Sequence, residues 1–277
     1  MNIFKFSLII AIFAIVFASP VFATTKPVKK VAGVNSFKKI ITTSRGDFKV
    51  NIITADLNEP GLELLSLTAS QKDCKKNCPA KSLEDYVVDN KALVAIHGAY
   101  FCPTDYGACA SKKNSYFYPF YNSPTKKLIN GSEIKWLQGS ILVMAENGNH
   151  YIYPSGRDFK SVKDFETKNN TKITFLVSNN PALVQNGKNI ISKAGNLDKK
   201  QLTTKAPRGG MGFKGNTVYF FVATKATVPD LAAIAVSLGL DTAINLDGGA
   251  SSAMYYQDKY LVGPGRLLPT AIVVRKK

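Results

Sequence analysis

The sequence predicts an α+β fold: a single mixed α/β domain with many short strands, a few helices and an N-terminal signal peptide. Short apolar segments recur along the chain, with turn sequences such as Asn147-Gly148 between them. Residues 227–238 have a strong amphipathic helix pattern, and two shorter segments have weaker ones. The 277 residues, 45% apolar and 20% charged, are enough to bury a full core, and no linker divides them.

The strands are predicted from alternation or from short apolar runs bounded by turn residues. Residues 48–54 alternate around Val50 and Ile52, and residues 92–96 form a continuous apolar run typical of a buried strand. The pairs Asn147-Gly148 and Asn186-Gly187 predict tight hairpins. The strands expected in chain order are residues 48–54, 62–67, 92–96, 141–144, 151–153, 173–177, 218–223, the segment up to Asp247, and residues 270–274.

The helices are predicted from their capping sequences. Ser82 and Asp85 form one capping box, and Thr227 and Asp230 form another, because a side chain three residues into a helix can return a hydrogen bond to the capping residue. Gly239 suits the end of the second helix. A short helical segment is also expected at residues 161–168.

The N-terminus has the pattern of an export signal. Lys5 precedes an apolar run at residues 8–17, which is too short to span a bilayer comfortably, and residues 21–23 resemble a cleavage site. We therefore expect a signal peptide at residues 1–23, a flexible leader at 24–38 and the domain at 39–277. An uncleaved N-terminal anchor is the alternative. Cleavage near Ala23 predicts a secreted or periplasmic protein without stable membrane insertion.

The net charge of +17 favours anionic partners. The lysines occur as scattered pairs, and the chain lacks a helix-turn-helix, a zinc-finger pattern or a basic stripe interleaved with aromatics. No nucleic-acid partner is therefore predicted, and nothing in the sequence indicates an oligomeric state.

The chain has four cysteines, and an even number in an exported protein predicts two disulfides. The spacings suit local pairs, Cys74 with Cys78 and Cys102 with Cys109, although four cysteines allow three connectivities. A four-cysteine zinc site is the alternative reading.

The stretch most typical of a functional site ends the strand before Gly248. Asn245 and Asp247 point to the same face if the strand extends that far, because side chains alternate along a strand. The pair Gly248-Gly249 allows close backbone approach, and Ser251 and Ser252 add hydroxyls. A polar hairpin loop in which Asp247 caps backbone N–H groups is the alternative.

Two further stretches have the same character. His97 directly follows the strand at residues 92–96 and precedes Tyr100, and it could be a proton shuttle, a ligand or a structural residue. Arg208 precedes the pair Gly209-Gly210, where its planar fork could hold phosphate or carboxylate oxygens. An Arg exposed at the start of a strand is the alternative. The aromatic-rich loops at residues 103–137 could line a sugar cleft or pack around the disulfides.

Taken together, these stretches resemble the phosphodiester glycosidase family. The resemblance covers residues 90–275 and departs from the family pattern at three positions: His97 stands where the family has Asn, Asn180 where it has Gly, and Gly209 where it has Thr. The stretches that carry the resemblance are residues 96–101, 181–187, 207–212, the helix at 230–239, and the block Asn245-Leu246-Asp247-Gly248-Gly249-Ala250-Ser251-Ser252-Ala253-Met254.

The resemblance implies an exported hydrolase that cleaves the bond between a sugar anomeric carbon and a phosphodiester, with a phosphorylated or anionic glycan as substrate. Asp247 would activate water or stabilise charge at the anomeric carbon, Arg208 would hold the departing phosphate, and His97 would donate to it. No cofactor is expected, since two oxygen ligands are too few to predict a divalent cation. The residues expected to bind substrate are Asn245, Gly248, Gly249, Ser251 and Tyr100.

Two other functions fit parts of the sequence. A serine hydrolase would use Ser251 or Ser252 with His97 as base, although the G-x-S-x-G elbow is missing. A catalytically silent module that binds anionic or phosphorylated glycans is the second alternative, motivated by the basic charge and the altered family positions.

Overall fold

The computed structural model describes residues 31–193 and 197–277 of the chain. The predicted signal peptide at 1–23 and residues 24–30 of the predicted leader lie outside the described residues. Four helices are present in the described part: α1 Leu83–Asn90, α2 Val162–Asn169, α3 Lys199–Thr203 and α4 Val228–Ser237. Its seventeen strands are β1 Val34–Thr43, β2 Gly46–Asp56, β3 Leu62–Thr68, β4 Ala92–His97, β5 Phe120–Asn122, β6 Lys127–Ile129, β7 Ser140–Ala145, β8 His150–Tyr153, β9 Ile173–Asn179, β10 Ala182–Gln185, β11 Lys188–Asn189, β12 Ala206–Lys214, β13 Thr217–Ala226, β14 Thr242–Gly248, β15 Met254–Tyr256, β16 Lys259–Val262 and β17 Thr270–Lys276.

The strands form three antiparallel sheets. The first has the order β1-β2-β13-β12-β14-β10-β11, the second β16-β15-β4-β17-β3, and the third β6-β5-β9-β7-β8. The α+β prediction is therefore confirmed, with mostly short strands and few helices.

The core lies where the three sheets meet. Its central cluster joins Met211 and Leu246 of the first sheet to Ile96 and Ile272 of the second and Phe120 of the third. The outer face of the first sheet is covered by α4, while α1 packs on the second sheet and α2 on the third. Removing these faces from water supplies the main driving force for the architecture.

The predicted helix starts are confirmed. Ser82 and Thr227 cap α1 and α4 through reciprocal hydrogen bonds with Asp85 and Asp230. The sequence did not predict α3, which begins at a third capping box between Asp198 and Gln201.

The predicted boundary between leader and domain is wrong. Strand β1 begins at Val34, and residues 34–38 pair in register with residues 51–55 of β2. The segment is an edge strand with most side chains exposed, so its apolar periodicity is weak. The ordered domain therefore begins before residue 39.

Both disulfides join local pairs: Cys74 bonds to Cys78, and Cys102 bonds to Cys109. The zinc alternative is wrong, because all four thiols are oxidised. No helix in the described part is long and apolar enough to cross a membrane.

Candidate active site

The three predicted site stretches meet at the junction of the first and second sheets. Strands β12 and β14 are neighbours, and their register places Arg208 opposite Gly248. The backbone N–H of Asp247 donates to the carbonyl of Gly98, just after β4, at 3.0 Å. The ends of β4, β12 and β14 thus bring His97, Arg208 and Asp247 together.

Asp247 is a partly buried carboxylate with a perturbed pKa. Its Oδ1 accepts from the backbone N–H of Gly248 at 2.7 Å, and the Ser251 hydroxyl donates to the carboxylate. Burial raises the pKa to about 6, against the opposing effect of these hydrogen bonds and of the nearby charges of Arg266 and Arg208. A carboxylate that titrates near neutral pH is suited to accepting a proton from water.

The two glycines after Asp247 serve different purposes. Gly248 has an extended backbone, and a Cβ there would lie 3.1 Å from Nη1 of Arg208 and 3.1 Å from the carbonyl of Pro207. Glycine therefore lets the guanidinium lie against the main chain beside Asp247. Gly249 has φ +62°, a left-handed conformation that starts the 3-10 turn Gly249–Ser251. That turn brings Ser251 back to the carboxylate.

Arg208 is buried, with 8% of its surface exposed, and only part of its guanidinium is satisfied. Nη2 donates to the carbonyls of Lys200 and Thr204, both at 3.1 Å. Nε is buried and has no hydrogen-bond partner. Because an unpaired buried donor is costly, this atom indicates where an anionic acceptor would bind.

A group of hydrogen-bonded polar residues lies beside Arg208. We call Tyr100, Asn180, Gln201 and Asn245 the polar floor. The Tyr100 hydroxyl accepts from Nδ2 of Asn245 at 2.9 Å and from Nε2 of Gln201 at 3.2 Å. The carbonyl of Asn180 accepts from the same Asn245 nitrogen at 2.8 Å. Both lone pairs of the Tyr100 hydroxyl are thus used, and its proton is free to donate elsewhere. Burial raises the pKa of Tyr100, so this proton is retained at neutral pH.

Two acceptors on this floor lack partners. The Oδ1 atoms of Asn180 and Asn245 are buried and unpaired. With Nε of Arg208, the site thus contains two unpaired acceptors and one unpaired cationic donor. This set matches a ligand that carries hydroxyl or amide donors next to an anionic group.

His97 lies beneath the site and is fully buried. Its Nε2 lies 2.7 Å from the carbonyl of Asp247, which can only accept, so Nε2 carries a proton. Its Nδ1 lies 3.2 Å from the backbone nitrogen of Ala253, whose N–H can only donate, and 3.0 Å from the carbonyl of the same residue, which accepts the backbone N–H of His97. Burial lowers the pKa of His97, which keeps the ring neutral. The ring therefore binds the main chain of Asp247, and no nitrogen faces a substrate.

This placement leaves the serine-hydrolase alternative without a base, since both ring nitrogens of His97 bond to the main chain. The hydroxyl of Ser252 donates instead to the carbonyl of Pro207 at 3.3 Å. Ser251 contacts Asp247 and lies 3.4 Å from Nη1 of Arg266.

Two departures from the family pattern are in direct contact. A Cβ on Gly209 would lie 2.3 Å from Cε1 of His97 and 2.4 Å from its Nε2. A residue larger than glycine therefore cannot stand at 209 while His97 keeps this position. The histidine and the glycine form one coupled change beneath Asp247.

The sequence did not identify Gln201, Asn179 or Arg266 as site residues. Asn179 supports the floor, since its Oδ1 accepts from the backbone N–H of Tyr100 and its Nδ2 donates to the carbonyl of Asn245, both at 2.9 Å. Gln201 and Arg266 come from segments remote in sequence, and no local motif marked them. The only sequence feature that could have indicated Asn179 is the run of polar residues Asn179-Asn180 before Pro181.

No cluster of three or more His, Cys, Asp or Glu side chains suited to a metal is found among residues 31–193 and 197–277. A cleft of about 690 Å³ lies elsewhere, lined by Leu57, Glu63, Met144 and Phe213 among others. It contains none of the predicted site residues. We place the candidate site at the polar floor because the unpaired buried atoms are there.

Comparisons with known proteins agree with this fold. A family model for phosphodiester glycosidases matches residues 90–275. The catalytic domain of zebrafish N-acetylglucosamine-1-phosphodiester alpha-N-acetylglucosaminidase, auto-inhibited by its pro-peptide, superposes with a TM-score of 0.67 at 18% identity, covering 92% of this chain and 85% of that one. A hypothetical protein from Synechocystis superposes with a TM-score of 0.66 at 14% identity, covering 92% of this chain and 65% of that one.

A putative exported protein from Burkholderia pseudomallei gives a TM-score of 0.55 at 11% identity, over 83% of this chain and 74% of that one. No curated protein sequence matches the chain. At these identities the structural neighbours establish the fold. The family match spans most of the chain and includes every residue of the polar floor, and on that match the chain belongs to the phosphodiester glycosidase family.

Proposed function

We propose that the protein hydrolyses the bond between a sugar anomeric carbon and a phosphodiester. The observation that carries the proposal is that two groups lie in the same site. One is Asp247, whose pKa is raised to about 6, and the other is the buried Arg208, whose Nε has no hydrogen-bond partner. The first is suited to activate water, and the second is suited to hold a phosphate.

A single carboxylate is sufficient for this reaction. Ordinary glycosidases need a second carboxyl group to protonate a poor leaving group. A phosphate monoester leaves as a stable anion, so a fixed cation can replace the acid. In a low-dielectric site such electrostatic stabilisation is commonly worth about 3–4 kcal/mol of activation free energy.

In the proposed step, water attacks the anomeric carbon while Asp247 accepts one of its protons. The bond between the anomeric carbon and the phosphate oxygen breaks, and its electron pair leaves with that oxygen. Arg208 neutralises the developing charge. The products are the free sugar and a phosphate monoester.

The polar floor accounts for sugar recognition in this proposal. The unpaired Oδ1 atoms of Asn180 and Asn245 would accept from sugar hydroxyl or amide groups, and the Tyr100 hydroxyl would donate. Gly248 allows Arg208 to approach, and Gly249 and Ser251 fix the carboxylate. His97 acts as a positioning residue, because its Nε2 binds the carbonyl of Asp247.

The experiment is product release from a panel of sugar-1-phosphodiesters by the unmodified protein, by Asp247→Asn and by a matched control, Asp241→Asn. Asp241 lies just before β14 and is exposed, and its carboxylate accepts from the backbone N–H of Gly215. We expect sugar and phosphate monoester from the unmodified protein and the control only. Binding without release by the unmodified protein would favour the glycan-binding module instead.

We further propose that the protein works outside the cytoplasm, secreted or periplasmic after cleavage near Ala23. The two disulfides support this location, since disulfides persist in oxidising compartments. N-terminal sequencing of the exported protein tests it, and a mature chain that still begins at Met1 would refute cleavage.

A further inference from the structure

A second group of cations lies beside the polar floor, formed by three segments that are remote in sequence. We call Asp105, Tyr106, Lys200 and Arg266 the rim cluster. Asp105 and Tyr106 lie in the loop closed by the disulfide between Cys102 and Cys109. Lys200 belongs to α3, and Arg266 follows the strand β16.

Tyr106 brings the two cations together. Its ring is 52% exposed. Nζ of Lys200 lies 5.9 Å from the ring centroid, and Cζ of Arg266 lies 5.4 Å from it. Both distances are within the range of cation–π attraction. Two like charges are thus held near one aromatic ring, and their mutual repulsion opposes this arrangement. The Asp105 carboxylate, paired with Arg266, is the anion that offsets it.

The rim cluster is connected to the catalytic groups. Nη1 of Arg266 lies 3.4 Å from the hydroxyl of Ser251, which in turn bonds to Asp247, and the Arg266 charge acts on the pKa of that carboxyl. The backbone carbonyl of Lys200 accepts from Arg208. The segments that carry the two cations therefore both contact the candidate site, one at Arg208 and the other at Ser251.

The rim cluster has two cations and one carboxylate, so its net charge is positive. Asp105 is the carboxylate paired with Arg266, at 2.5 Å, and its side chain is 58% exposed. Because the Asp105 side of this ion pair is exposed to solvent, an incoming anion can reach Arg266 and compete with the carboxylate. No hydrogen bond from the ammonium of Lys200 is seen in the part of the chain that the structure describes.

We propose that Lys200 and Arg266, positioned by Tyr106, form a second anion subsite for the leaving group. The preferred substrates are then sugar-1-phosphates whose leaving group carries a further phosphoryl group. This inference rests on the proposed function and names its substrate class. The floor recognises the sugar, Arg208 the first phosphate, and the rim cluster the second.

The test compares kcat/KM for three diesters of the same sugar. In the first, the departing phosphate carries only an uncharged alkyl group. The second is a diphosphate ester, and in the third the departing phosphate carries a second phosphate several bonds away. We expect the unmodified protein to prefer the charged substrates. Lys200→Gln and Arg266→Gln should each reduce that preference about threefold to tenfold, and high salt should reduce it as well.

Two further variants distinguish a subsite from general damage. Asp105→Asn removes the competing carboxylate and should increase the preference for the charged substrates, a gain that misfolding cannot produce. Lys199→Gln removes a neighbouring exposed charge of α3 that does not contact Tyr106, and it should leave the preference unchanged. Equal preference for all three diesters in the unmodified protein, or equal losses in Lys199→Gln and Lys200→Gln, would overturn the inference.

The comparison of the three diesters also identifies the kind of leaving group that the subsite binds. A preference confined to the diphosphate ester indicates adjacent phosphoryl groups, and a preference for both charged diesters indicates a second phosphate further along the leaving group. Calorimetry with inorganic pyrophosphate and inorganic phosphate separates this inference from the proposed function. Tighter pyrophosphate binding that needs Lys200 and Arg266, without any hydrolysis, would reject the function and keep the subsite. Hydrolysis without tighter binding of pyrophosphate than of phosphate would reject the subsite and keep the proposed function.

Discussion

Replacing Asp247 by Asn should abolish activity and at the same time stabilise the protein at neutral pH. Asn keeps an Oδ1 acceptor for the N–H of Gly248 and for the hydroxyl of Ser251, but it carries no charge. The folded protein holds the Asp247 carboxyl at a pKa of about 6, above its ordinary value of 3.8. Folding therefore favours the protonated form, and ionisation costs stability.

The sign and size of the expected stability change follow from that pKa shift. A carboxyl with a raised pKa stabilises the folded state at low pH, and this contribution is lost as pH rises through about 6. A shift of about two units corresponds to about 3 kcal/mol. Because Asp247 retains some contact with solvent, we expect Asp247→Asn to gain about 1–2 kcal/mol at pH 7.5. For a domain of this size the melting temperature should rise by about 2–8 °C.

The assay is thermal unfolding followed by circular dichroism between pH 4 and pH 8. The gain in melting temperature of Asp247→Asn over the unmodified protein should be small near pH 4 and complete above pH 7. The exposed-site control Asp241→Asn should show no such increase with pH. A uniform loss of stability at every pH would refute the reasoning, because it would mean that the carboxylate stabilises the fold.

Four more predictions follow from the site. The kcat/KM should rise as pH increases through about 6, because Asp247 acts as a base only when ionised, and a profile that falls over this range would contradict the base role. Arg208→Lys should lower kcat/KM about 100-fold to 1,000-fold with an unchanged circular dichroism spectrum. Gly209→Ala should destabilise the protein by about 1–3 kcal/mol in urea unfolding, and adding His97→Asn should recover part of that loss; a neutral single variant would exclude the clash. Asn180→Gly should raise KM about tenfold through loss of a buried acceptor, and an unchanged KM would remove this residue from sugar recognition.

Much of the fold could be predicted, and the central stretch of the candidate site could be proposed, because their signals are local. The capping box at Thr227 and Asp230 lies within four residues, and it identified α4 correctly. The stretch from Asn245 to Gly249 combines strand alternation with paired glycines, and these two local features predict a candidate site at the end of β14.

The residues that were missed depend on tertiary contacts. Gln201 lies in a five-residue helix with a single apolar side chain, Leu202, which is too little for an apolar period. Its role depends on Tyr100, which is about 100 residues away in sequence. Arg266 follows a Gly-Pro-Gly turn and reaches Ser251 only in the folded protein. The sequence predicted that His97 donates to the departing phosphate, and this prediction is wrong, because both ring nitrogens contact the main chain of Asp247 and Ala253. The direction in which a side chain points at the end of a strand depends on tertiary packing.

The position of β17 has a consequence for how the active centre is assembled. This strand lies between β3 and β4, pairing Thr270 with Thr68 and Ala271 with His97. A growing chain thus completes β3 and β4 long before the strand that joins them is synthesised. The neighbours of His97 come together last, since pairings so distant in sequence are slow to form. Truncation before residue 270 would leave two open strand edges in the second sheet, and we expect such a fragment to aggregate rather than to retain partial activity.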